Sequence, residues 1–235
     1  AIVVDDGSEA WDQNVTDELM NTFRYPGQHI HVHHFDIWGG LTRSWNYGLR
    51  VARDEGYDYA IAGNNDILFN QNWYMGLLHG LENGYHLMGP LSNAPGVSAK
   101  GKAEIWQYIV EYRTTDEASY LNEISDRLQR QYANVVIEAK VNGFFQIGKT
   151  ATWWEGKHSK ENVYCPSNPV NSKGFKNRTP LMTLNEDELQ GRWAKKGWKS
   201  GVSLSSFIFH YRAVTRGGRH RKGKWFRLTK PNQEV

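Results

Sequence analysis

A single cysteine, Cys165, stands in 235 residues. That excludes an internal disulfide and points to a reducing, cytoplasmic compartment. No stretch approaches the roughly 18 consecutive apolar residues of a membrane span, and no signal peptide is visible. Neither a membrane span nor export is expected. Internal repeats and low-complexity linkers are also missing. Acidic residues are absent between Arg212 and Lys230, where eight Lys/Arg fall: Arg212, Arg216, Arg219, Arg221, Lys222, Lys224, Arg227 and Lys230. The net charge of +3 hides this asymmetry, since without those eight the chain is net acidic. An anionic partner near the C-terminus follows, with phosphate the first candidate. Aromatic interleaving there is slight (Trp225, Phe226), so no nucleic-acid partner is expected.

What is present is an alternation of short apolar runs and amphipathic stretches. Ala1–Val4 reads as a buried strand closed by Asp5-Asp6-Gly7-Ser8. Asn14 can cap a helix carrying Val15, Leu19 and Phe23, which Pro26-Gly27 stops. The alternation in His29-Ile30-His31-Val32-His33 predicts a strand, broken by Gly39-Gly40. Leu41, Trp45, Leu49 and Ala52 mark a helix ending near Gly56. Tyr59–Gly63 is an apolar strand whose tip carries Asn64-Asn65-Asp66. Trp73, Leu77, Leu78 and Leu81 line a helix that Gly84 terminates. This order predicts an α/β fold with a mostly parallel central sheet flanked by helices.

The second half is less regular. Gly89–Gly96 is rich in turn formers and reads as a loop. Thr114 and Glu117 form a capping box for a helix with Leu121, Ile124 and Leu128. Val135–Val141 reads as a strand and is followed by Gly143-Phe144-Phe145. Residues Trp153–Pro180 read as a long loop. Asn185 caps a helix with Leu189 and Trp193, and Val202–His210 is a last strand. Asn177-Arg178-Thr179 is formally a glycosylation sequon, with Pro180 after it.

Polar clusters therefore fall at strand ends or helix starts: Asp5-Asp6, Asn64-Asn65-Asp66, Asn185-Glu186-Asp187 and His210. Parallel strands bring such tips to one edge of a sheet. The ordered set resembles family 2 glycosyltransferases with the GT-A fold. Val3-Val4-Asp5-Asp6-Gly7-Ser8 looks like the second-strand motif. Gly39–Leu49 resembles the glycine-led helix ending in Asn-x-Gly, and Asn64-Asn65-Asp66 occupies the place of Asp-x-Asp. Gly143-Phe144-Phe145 resembles the acceptor-side Gly-Phe segment, and Asn185-Glu186-Asp187 the Glu-Asp motif opening the next helix.

The resemblance implies a single GT-A domain, with a nucleotide-sugar-binding half at 1–100, an acceptor-side half at 101–211 and a basic segment at 212–235. It also implies that the usual first strand and helix are lacking. It implies an inverting transfer from a nucleotide diphosphate sugar, UDP-linked, to the hydroxyl of a glycan or other acceptor. Asp66 and His210 would hold Mn²⁺ or Mg²⁺, which stabilises a departing diphosphate. Asp5, Asp6, Arg43, Asn64, Asn65 and Arg216 would contact the nucleotide sugar. Asp187 would be the general base, with Glu186 the runner-up. Gly143, Phe144, Phe145 and Trp153 would meet the acceptor.

Blander readings stand beside these. Asp5 or Asp6 could close a strand in an Asx turn, Asp187 could belong to a capping cluster, and His210 could be structural. Trp153 serves core packing as readily as stacking. The His29, His31, His33, His34 group reads as packing, since it has no partner carboxylate motif. Other functions compatible with the pattern are a nucleotidyltransferase, or a catalytically weak nucleotide-sugar or glycan-binding module in which Asn64 replaces an acid.

Overall fold

The computed structural model describes residues 1–9, 11–22, 29–37, 39–92, 118–166 and 185–211. These form a mixed α/β arrangement. In chain order the first elements are β1 (Ile2–Asp5), α1 (Gln13–Thr22), β2 (His31–His34), α2 (Leu41–Asp54), β3 (Tyr59–Gly63), β4 (Ile67–Phe69) and α3 (Met75–Glu82). Then follow β5 (Leu87–Leu91), α4 (Ala118–Tyr132), β6 (Val136–Glu138), β7 (Phe145–Lys149), α5 (Thr150–Glu155), α6 (Asn185–Ala194) and β8 (Ser200–His210). The capping box at Thr114 and Glu117, the sequon and the basic segment lie outside the described residues.

The chain packs into two compact units rather than halves divided near residue 100. One comprises Ala1–Ala62 with Gly148–Trp198, the other Gly63–Ile147 with Lys199–Val235. The boundary passes through β3 and β7.

In the first unit, β1 and β2 pair in parallel, Ile2 opposite His31 and Asp5 opposite His34. The α1 helix is capped by Asp12 rather than Asn14, because Asp12 Oδ1 accepts the Val15 N–H at 3.0 Å. The α2 helix buries Trp45, Leu49 and Ala52, one stripe at helical spacing. Trp153 and Trp154 of α5 supply large buried rings. Their indole N–H groups donate to the carbonyls of Ala60 at 3.1 Å and Leu49 at 3.2 Å. A tryptophan can be buried when its one donor finds such a partner. This helix replaces the start of the loop expected from Trp153.

The second unit is built on β8, whose residues from Gly201 to His210 are all buried. It pairs in parallel with β5 and antiparallel with β4 and β6, while β7 lies antiparallel to β5. The expected mostly parallel sheet is therefore not found here. The long excursion containing α4 separates β5 from β8 and permits a parallel pair, while β4, β6 and β7 enter antiparallel. The expected loop at Gly89-Pro90 is instead part of buried β5. Pro90 is tolerated because the register shifts between Pro90 and Leu91. Leu121, Ile124 and Leu128 of α4 pack with Leu204, Phe207 and Phe209 of β8 to form the core. Leu68 of β4 packs against the same cluster.

Candidate functional site

In the first unit the strand-end carboxylates are occupied. Asp6 Oδ2 accepts the Gly40 N–H at 2.5 Å. Its Oδ1 accepts the Gly39 N–H at 3.2 Å, Arg43 Nη2 at 2.6 Å and Arg43 Nε at 3.1 Å. Four is the usual number of donors for a carboxylate, but three of them fall on Oδ1. Gly40 has φ 92°, a conformation glycine adopts without steric cost. A Cβ on Gly39 would meet the Arg43 guanidinium. The two glycines thus let the chain turn into α2 around the Asp6–Arg43 pair. Arg43 also sits 3.9 Å over the Phe35 ring. Were Asp6 to accept from a base, Oδ2, which holds only the Gly40 N–H, is the oxygen with capacity left.

Asp5 is tied down as well. Its Oδ2 accepts the N–H groups of Gly7 and Ser8, its Oδ1 the Ser8 hydroxyl, and His34 Nδ1 lies 2.8 Å from Oδ2. Burial is the strongest single influence on this carboxyl and pushes it up. The bonds from Ser8, His34 and Gly7 outweigh burial and hold it below the ordinary aspartate value.

The histidines of β2 pack. His33 stacks on Tyr47 at 4.0 Å, and His31 Nε2 lies 3.1 Å from the Tyr47 hydroxyl. Burial, then the charges of His31, His34, Arg43 and Arg50, lower the His33 pKa. Among the described residues no group of three or more His, Cys, Asp or Glu is arranged to hold a metal.

Glu186 and Asp187 are half-buried in the first turn of α6, where the helix dipole favours an anion. The helix is anchored on both sides of them. Asn185 donates to Thr42 Oγ1 of α2. Arg192 pairs with Glu188 at 2.9 Å and donates to the carbonyls of Gly156 and Val163. Asn46 fixes the adjoining segment by donating to the Tyr164 carbonyl at 3.0 Å and accepting its N–H at 2.8 Å. Burial, then the charge of Glu186, push the Tyr164 phenol well above its ordinary pKa. Sequence reasoning gave no role to Thr42 or Asn46. Both lie inside the Gly39–Leu49 stretch, and only their distant partners reveal what they do.

The second unit brings a different set together. Asp66 and His210 are both buried, and His210 Nε2 lies 3.2 Å from Asp66 Oδ1. That is ion-pair distance if the imidazole is protonated, yet the oxygen accepts no well-aligned hydrogen bond. The Tyr211 N–H donates to the Asp66 carbonyl at 2.9 Å and locks the end of β8 to this residue. Phe144 stacks on the His210 ring at 4.9 Å, and its carbonyl accepts the Asn64 N–H at 2.9 Å. Asn65 is exposed. Burial pushes the Asp66 carboxyl up, but His210, the Asp66 backbone and Asn64 together hold it below its ordinary value.

The acceptor expectation needs correcting. Phe145 and Trp153 are fully buried and Phe144 nearly so, which leaves no ring face for a sugar. Large apolar rings gain most by leaving water, and Trp153 packs on Tyr164 and Trp193 within the core. Gly143 alone of the four is half-exposed. Arg216 lies outside the described residues. No described helix is long and apolar enough to cross a membrane.

No protein-family model matches the chain, and no curated protein matches it.

Proposed function

We propose that the chain is an inverting, metal-dependent glycosyltransferase that moves a sugar from a nucleotide diphosphate sugar, UDP-linked, to an acceptor hydroxyl. The observation that carries this reading is the Asp66–His210 pair. A buried carboxylate oxygen that lies beside an imidazole nitrogen without an aligned hydrogen bond keeps a lone pair for a further partner. It suits a divalent cation, and one oxygen and one nitrogen ligand suffice when phosphates complete the shell. Asp66 and His210 would hold Mn²⁺ or Mg²⁺, and the bound cation supplies charge neutralisation to the departing diphosphate.

The chain's own groups carry the rest. By the resemblance, Asp187 would accept the proton of the acceptor hydroxyl while that oxygen attacks the anomeric carbon. The bond from the anomeric carbon to the phosphate oxygen breaks, and the diphosphate leaves with the electron pair. Asn64 orients the Asp66 carboxylate, and Asn65 offers an exposed amide beside it.

A second reading, a nucleotide-sugar-binding module without turnover, draws on the four donors already held by Asp6 and on the amide at Asn64. Calorimetry and product assays with UDP-sugars, with and without Mn²⁺, separate the two. Metal-dependent binding with release of free sugar or glycoside is expected. Metal-dependent binding without product favours the module. Donor binding indifferent to both Mn²⁺ and Asp66→Asn would remove the metal site from either reading.

A further inference from the structure

The stretch that follows Asp66 displays aromatic rings to solvent. Phe69 is 51% exposed, Tyr74 45% and Met75 51%, and Trp73 is half-buried beside them. The Phe69 and Trp73 rings lie 4.7 Å apart, and Trp73 meets Tyr74 edge-on at 5.8 Å. Both Phe69 and Trp73 rest against the fully buried Phe145 ring.

These rings are held rather than frayed. The Gln71 N–H donates to Asn122 Oδ1 at 2.8 Å, and Ser125 Oγ donates to the Gln71 carbonyl at 2.7 Å. Asn70 Nδ2 donates to the Phe207 carbonyl at 2.7 Å, and Asn72 sits in the left-handed region at φ 60°. Side chains of α4 therefore fix the backbone of the turn that carries the rings, and a preformed surface loses little freedom on binding.

The register locates the surface. Leu68 and Phe209 point to the core under α4. Ile67 opposite His210 and Phe69 opposite Ile208 therefore occupy the other face of the sheet. Phe69 is one side-chain row, about 7 Å, along from the row of His210. Composition limits what covers it, because no Asp, Glu, Lys or Arg falls between Ile67 and Leu81. With none of these to pair with an ionised ligand, the stretch favours an uncharged occupant. Amides interleave with the rings at Asn65, Gln71 and Asn72, the first two exposed. A sugar ring matches both features, with C–H bonds for the negative ring face and hydroxyls for the amides. Four side chains also fall well short of the roughly 20–30 residues a side of a stable protein interface.

We propose that Phe69, Trp73 and Tyr74 form a stacking subsite for a ring of a neutral saccharide acceptor. The assignment of this saccharide as acceptor rests on the glycosyltransferase reading; the subsite itself does not.

The test uses the full chain without donor and probes of neutral β-linked tetrasaccharides of glucose and of N-acetylglucosamine, with α-linked maltotetraose alongside. Saturation-transfer NMR and calorimetry are expected to find at least one probe bound, with affinity falling about tenfold or more in Phe69→Ala and in Tyr74→Ala. Both residues are exposed, so circular dichroism should show folded variants. Tyr57→Ala, which removes an exposed ring of the first unit, should bind the same probe with wild-type affinity. No binding of any probe, or equal binding by Phe69→Ala, overturns the subsite and leaves metal-dependent donor turnover standing. Probe binding that depends on Phe69, with no donor turnover, keeps the subsite and removes the transferase. A dimer in sedimentation that Phe69→Ala dissociates would assign the surface to a second copy and overturn the saccharide.

Discussion

Asp6 directly follows β1 and Asp66 directly precedes β4, one in each compact unit, and they differ in what they have left to offer. Asp6 receives four donors, two of them backbone N–H groups at the start of α2. Asp66 is more deeply buried, yet one of its oxygens accepts no aligned hydrogen bond. A carboxylate that already holds four donors is building structure. One that is buried and incompletely engaged is a candidate for chemistry. The same contrast separates the two aromatic groups, Trp153 sealed in the first unit and Phe69 displayed on the second.

The comparison can be broken at several points. The largest effect is expected for Trp153→Ala, which should cost about 3–5 kcal/mol in urea unfolding by leaving a large cavity. A variant that stayed as stable as wild type but bound acceptor poorly would return Trp153 to the acceptor site. Next comes Asp66→Ala. If the proposed transferase reading holds, Mn²⁺-dependent release of sugar from the UDP-sugar should fall by more than the roughly 100-fold typical of losing an outer-shell partner. An unchanged rate would make Asp66 as structural as Asp6.

Asp6→Ala should cost about 1–3 kcal/mol of stability, since it strands two backbone donors and the Arg43 guanidinium. Asp66→Asn at neutral pH should cost less. If the two ranked the other way in denaturant midpoints, the contrast between the units would be reversed. The smallest effect concerns acid. The folded Asp66 carboxyl titrates below its unfolded value of 3.8, so the unfolded chain binds more protons there. That contribution is complete above 3.8 and is lost as pH falls through the lower folded value. Asp66→Asn should therefore lose less stability than wild type on acidification through this range. Equal losses would show that His210 and Asn64 do not hold the ionised form.

Legibility followed the range of the forces involved. The α2 stripe, the α4 stripe of Leu121, Ile124 and Leu128, and the Gly56 and Gly84 stops could all be read locally, because helical periodicity and a glycine's positive φ are properties of neighbouring residues. The strand β5 was missed because Gly89-Pro90 looks like a turn, and only burial with a register shift makes it a strand. The helix α5 was missed because six residues carry too little periodicity. The cap at Asp12 was misplaced by two residues, since Asn14 is an equally good capping type.

The sequence by itself determined an α/β composition, the core stripes and which polar clusters were worth attention. Tertiary structure alone decided their duties. It gave Asp6 to Arg43 and the glycines, Asn46 to Tyr164, and Trp153 to the core, and it left Asp66 facing His210. Each of these depends on a partner far along the chain. A side chain's chemistry is set by how many of its bonds are already made, and that number exists only once the chain has folded.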